Sequence, residues 1–148
     1  MTRWLVVVFL LALSAPAAAQ DTVAFRTVAR DDGASGKESR RVEFTFTTQS
    51  RWSSFWKRLA PSTKRPRVDF SKHMLIAVTQ GRRTSGGHAI RITKINRTDD
   101  GWVVHVLETY PGEGCPSTQQ ITRPYHVVRV PRTGEDVSFE RTRTMRDC

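Results

Sequence analysis

Hydrophobic and polar positions change rhythm several times along the chain, and each change predicts an element. Val23 to Val28 and Val42 to Thr47 are short β-prone runs. They flank Arg30 to Arg41, where Asp31-Asp32-Gly33 and Ser35-Gly36 supply turn chemistry. Val42, Phe44 and Phe46 alternate with Glu43 and Thr45, the period of a sheet with one dry face. The period then becomes helical: Trp52, Phe55, Trp56 and Leu59 fall at i, i+3, i+4 and i+7 and predict one apolar seam. Thr48 or Ser50 can cap this helix and Pro61 ends it.

The second half is denser in strand signal. Met74-Leu75-Ile76-Ala77-Val78 is an unbroken apolar run, as expected of a central strand covered on both faces. A turn-rich loop from Gly81 to Gly87 leads to a strand in which Ile90 and Ile92 alternate with Arg91 and Thr93. Thr98-Asp99-Asp100-Gly101 predicts a hairpin whose Asp-Gly pair takes positive φ, and Trp102 to Leu107 is the returning strand. After a loop from Pro111 to Pro116, strands are expected over Tyr125 to Val130 and, briefly, Val137 to Phe139. Seven strands and one helix predict an α+β fold: a mostly antiparallel sheet, or a sandwich-like domain, with one packed amphipathic helix.

The first positions follow neither rhythm. Arg3, an apolar core from Trp4 to Leu13 and Ala17-Ala18-Ala19 have the order of an export signal, with cleavage expected after Ala19. That core is shorter than the roughly 20 apolar residues a membrane span needs. The expected organisation is a signal over 1–19 and one exported domain, periplasmic or secreted, over 20–148, its core at about 42–140. The 148 residues carry 24 Lys and Arg against 14 Asp and Glu, a formal charge of +10. Of the basic residues 19 are Arg, a skew that a GC-rich genome produces unaided, and no block of five like charges occurs. The charge favours solubility. It leaves polyanion binding as an alternative, and nucleic acid is not an expected partner.

Few patterns along the chain carry chemistry. His73, His88, His105 and His126 show no zinc-helix spacing, so no metal or other cofactor is expected. Ser85-Gly86 lacks the flanking pattern of a nucleophile elbow, and no phosphate-binding Gly-Lys-Ser/Thr occurs. Cys115 and Cys148, the two cysteines, suit a disulfide in an exported chain. A bond between chains through Cys148, or a thiol enzyme using Cys115 with His105 or His126, stays open as an alternative.

Val68-Asp69-Phe70-Ser71, Met74 to Val78, Gly81, Thr84 to Ile92 and Thr122 to Pro131 resemble the C-terminal domain of the protease complex subunit PrcB family. A tryptophan-bearing helix, matched here by Trp52 and Trp56, precedes these motifs in that family. The family's Thr-Gly-Gly-Tyr loop reads Thr84-Ser85-Gly86-Gly87-His88 here, and the resemblance extends over about Phe46 to Phe139. It implies a non-catalytic exported domain, associated in some members with the assembly or stabilisation of a cell-surface subtilisin-like protease complex.

The expected partner is therefore another exported protein, with a protease among the candidates. It would be contacted through Thr84, Ser85, Gly86, Gly87 and His88 together with Pro111, Gly112 and Gly114. The glycine pair has a second reading, in which it only shapes the entry to a hairpin. A glycine-containing loop on a β-domain also loosely resembles the wedge loops of chagasin-like cysteine protease inhibitors, which keeps inhibition as an alternative.

Overall fold

The structure, a computed structural model, describes residues 21–148; the export signal expected over 1–19 lies outside the described residues. Eight strands and one helix follow in the order β1 (Asp21–Thr22), β2 (Arg26–Asp31), β3 (Glu43–Phe46), α1 (Gln49–Leu59), β4 (His73–Thr79), β5 (Ala89–Thr98), β6 (Gly101–Tyr110), β7 (Tyr125–Pro131) and β8 (Val137–Met145). They form two four-stranded sheets, β1-β5-β6-β8 and β2-β7-β4-β3. The fold is α+β, with the sheets face to face and the helix on the outer face of the second.

The apolar run at β4 serves two layers. Met74, Ile76 and Val78 pack between the sheets with Ile92, Ile95, Trp102, Val104 and Val106. Leu75 and Ala77 point the other way, into a cluster with Trp52, Phe55, Trp56 and Leu59 of the helix. A strand alternates its side chains between faces, so a strand buried on both must be apolar throughout. The helix seam is buried at all four positions. Its indole N–H groups are satisfied at the rim: Trp52 Nε1 donates to the Pro66 carbonyl at 3.3 Å and Trp56 Nε1 to that of Thr63 at 2.9 Å.

The two sheets are bridged by polar groups along both sides. On the β5–β7 side His126 is buried, and its Nδ1 accepts the Ile92 N–H at 2.8 Å. The ring proton therefore sits on Nε2, which donates to Thr27 Oγ1 at 2.9 Å. Both partner strands are irregular beside it, β5 between Ile92 and Lys94 and β2 between Thr27 and Ala29. Such bulges release backbone groups from the ladder. On the β8–β3 side Glu108 has no exposed surface and receives Arg41 at 2.9 Å as well as Arg141, which also bonds Glu43 and the Thr79 and Val42 carbonyls.

Four expectations need correction. The first strand, expected over Val23 to Val28, is displaced: Val23–Phe25 lie outside strands and carry the chain from β1, paired with β5, to β2, which pairs with β7 and runs on to Asp31 in the expected loop. The last strand runs to Met145, well past Phe139, and pairs parallel with β6, because the connection from β7 crosses between sheets instead of turning back as a hairpin. Thr48 is the N-cap by position, but its side chain makes no capping bond. In the β5–β6 turn only Gly101 takes positive φ (118°), and neither aspartate does. A Cβ at Gly101 would overlap the Asp136 carbonyl, which receives the neighbouring Trp102 N–H at 2.8 Å.

Candidate partner-binding surface

Two loops leave the same end of the sheets: 80–88 between β4 and β5, and 111–124 between β6 and β7. Their backbones are joined. Arg83 and Thr122 exchange N–H···O bonds of 2.8 and 3.0 Å, Gly86 N–H donates to Thr118 O at 2.8 Å, and Thr122 Oγ1 donates to Ser85 O at 2.9 Å. Side-chain contacts reinforce this. Gly87, at φ 81°, lies against Pro111, and a Cβ on Gly86 would run into Thr118 Oγ1. The glycine pair thus has a packing role, because it lets one loop lie on the other.

The second loop is also fastened to the end of the chain. Cys115 and Cys148 form a disulfide within the chain, with Cα atoms 5.5 Å apart. Arg146 N–H donates to Tyr110 O at 2.8 Å, and Gly112 sits so close to the Arg146 carbonyl that a Cβ would overlap it. While the disulfide is formed neither sulfur is a thiolate, so the chemistry of a thiol enzyme is unavailable to this state.

The sequence-predicted residues therefore meet on one surface, unequally exposed. Thr84 and Gly114 are exposed; Ser85, Gly87, His88, Pro111 and Gly112 are half-buried; Gly86 is buried. Ser85 Oγ lies 3.3 Å from His88 Nε2, and the His88 ring meets Tyr110 edge-on with centroids 5.3 Å apart. Burial, followed by the charge of Arg83, holds the His88 pKa below the usual imidazole value and favours the neutral ring. Arg83 and Arg143 stack over the same Tyr110 ring at 5.2 and 5.5 Å.

Tyr110 and its arginines were not expected from the sequence, and neither was the carboxylate beneath them. Tyr110 Oη donates to Glu108 Oε2 at 3.1 Å and Arg143 approaches that oxygen at 3.8 Å. Burial pushes the Glu108 carboxyl upward, but the hydrogen bonds from Arg41 and Arg141 outweigh it and hold the group below its ordinary value. The signal was present: Trp102, Val104, Val106 and Glu108 form one period-two row, which places an acid on the dry face. His105 is on the opposite face, 3.3 Å from Glu140 and 3.1 Å from the Asn96 amide. Among the described residues no group of three or more His, Cys, Asp or Glu is placed to hold a metal ion, and no helix is long and apolar enough to cross a membrane.

The PrcB C-terminal family model matches residues 74–131. No curated protein and no solved structure matches the chain. The matched stretch is narrower than the Phe46 to Phe139 expected from the motifs and leaves out the helix and β8. It does contain both joined loops, Glu108 and His126. From β4 through β7 the chain is thus similar to the PrcB C-terminal family.

Proposed function

We propose that residues 20–148 form one exported, non-catalytic accessory domain that binds another exported protein. The contact surface is the joined pair of loops, and a protease complex is the class of partner. The observation that carries this reading is the family match, which spans both loops. The fold supports it physically. Loops fastened to each other, to a sheet end and to a disulfide lose little conformational freedom on binding, which lowers the entropic cost of association. The disulfide fits an oxidising compartment.

The test is crosslinked capture from the exported fraction of the host, using the tagged domain. Wild type is expected to retain a discrete protein together with peptidase activity. Thr84→Glu and Glu113→Arg, both at exposed loop positions, are expected to lose it with the fold intact. Absence of capture, or capture indifferent to both substitutions, rejects the proposal.

A further inference from the structure

An open cleft of about 630 Å³ extends from the outer face of the first sheet to β2 of the second, lined in part by Arg30, Arg91, Leu107, Thr109, Thr144 and Arg146. Strand register assembles it. Arg91 stands opposite Leu107, and Thr109 stands opposite Thr144. These positions alternate with the inward row of Val104, Val106 and Glu108, so they share the outward face. Arg30 comes from β2, and Arg146 follows the end of β8.

The charge here is one-sided. No Asp or Glu lines the cleft. Among the described residues Arg30, Arg91 and Arg146 form no ion pair, whereas Arg40, Arg41, Arg58 and Arg141 all end on carboxylates. The acids next to Arg30 are engaged locally: Asp31 accepts the Gly33 N–H at 2.8 Å and Asp32 the Ala34 N–H at 3.1 Å. Asp31 and Asp32 line the adjoining hollow with Arg30. Three cations without an ion pair around one concavity repel one another, and an anion placed among them relieves that repulsion.

We propose that this cleft docks an acidic segment of the protein partner, with glutamate side chains reaching the three arginines. The chemistry of the lining selects this occupant. Guanidinium forks pair bidentately with carboxylates, Leu107 offers an aliphatic floor to the methylenes of glutamate, and Thr109 and Thr144 supply hydroxyls at the rim. Phosphate sites are commonly built from converging backbone N–H groups at a helix start or a nest; here the lining from β2, β5, β6 and β8 has its backbone in strands. The cleft adjoins the joined loops, since Ala89 in its lining follows His88 and Arg146 packs on Gly112. The inference rests on the proposed function in taking a protein as the partner.

The test uses a fluorescein-labelled hexaglutamate peptide and the purified, oxidised domain at low salt, read by anisotropy. Binding is expected, and inorganic phosphate at the peptide's concentration is not expected to displace it. Arg91→Gln combined with Arg146→Gln should weaken it at least about tenfold, and Arg30→Gln should weaken it as well. Arg67→Gln, at an exposed position outside the cleft, should leave it unchanged, with near-ultraviolet circular dichroism verifying each fold. Absence of binding, equal loss with Arg67→Gln, or ready displacement by phosphate overturns the assignment. Because the peptide assay needs no host partner, a failed capture experiment and a failed cleft are separate results.

Discussion

His126 shows how much one buried side chain decides. Burial, then the charge of Arg30, pushes its pKa down to about 4 from an ordinary 6.5. The geometry agrees with that direction, since protonated Nδ1 would confront the Ile92 N–H instead of accepting it. Between pH 6.5 and 4 the unfolded chain therefore binds a proton that the folded one refuses. The stabilisation is fully present above 6.5 and is lost as pH falls toward 4, by up to about 3 kcal/mol. Urea unfolding at intervals from pH 7.5 to 4.5 should show this decline. His126→Phe leaves the Ile92 N–H unsatisfied and should cost about 1–3 kcal/mol at neutral pH, while flattening the decline. His88, lowered in the same direction, keeps a residual slope. An undiminished slope in the variant would assign the pH dependence elsewhere.

The disulfide acts on whole elements. It ties the loop after β6 to the end of β8, across 33 positions that include all of β7. On the chain-entropy account, closing such a loop stabilises the fold by about 3 to 4 kcal/mol. Cys115→Ser with Cys148→Ser should lower unfolding stability by roughly that amount. Hydrogen exchange should show local loosening at 111–118 and the tail, while core amides that exchange by global unfolding lose protection by about the same 3 to 4 kcal/mol. Local rhythm made the helix and β4 legible, because Trp52, Phe55, Trp56 and Leu59 declare their period and Met74 to Val78 declare burial on two sides. The extent of β8 was hidden for the opposite reason. Past Phe139 its inward positions are Arg141 and Arg143, which read as surface until Glu108 on another strand supplies their counter-charge. The joining of the two loops was equally hidden, since Gly86 and Gly87 announce close approach without naming Thr118 or Pro111 as the neighbour.

The sandwich as a whole is closed by two unlike devices, a neutral imidazole along one side and an ion network along the other, and acid should open them in different ranges. Glu108 joins β6 to β8 through Arg141 and to the strand-3 approach through Arg41, while Arg141 continues to Glu43 on the second sheet. Its carboxyl is held below 4.5, so its contribution is complete above that value and disappears as pH falls beneath it. The loss due to His126 begins first, below pH 6.5, and the loss of the network begins below 4.5. At neutral pH, Glu108→Ala leaves Arg141, which is 10% exposed, with a missing partner inside the protein. Removing one member of a buried pair costs about 3–5 kcal/mol, whereas replacing both with apolar groups of similar volume is often close to neutral. Glu108→Leu combined with Arg141→Leu should therefore recover much of the stability that Glu108→Ala loses, even though Glu43 and Arg41 are left to solvent. Urea midpoints of wild type, Glu108→Ala and the double variant decide the matter. If the double variant is no more stable than Glu108→Ala, the network holds the sheets together by its charges, and the apolar interior does not suffice to close that side.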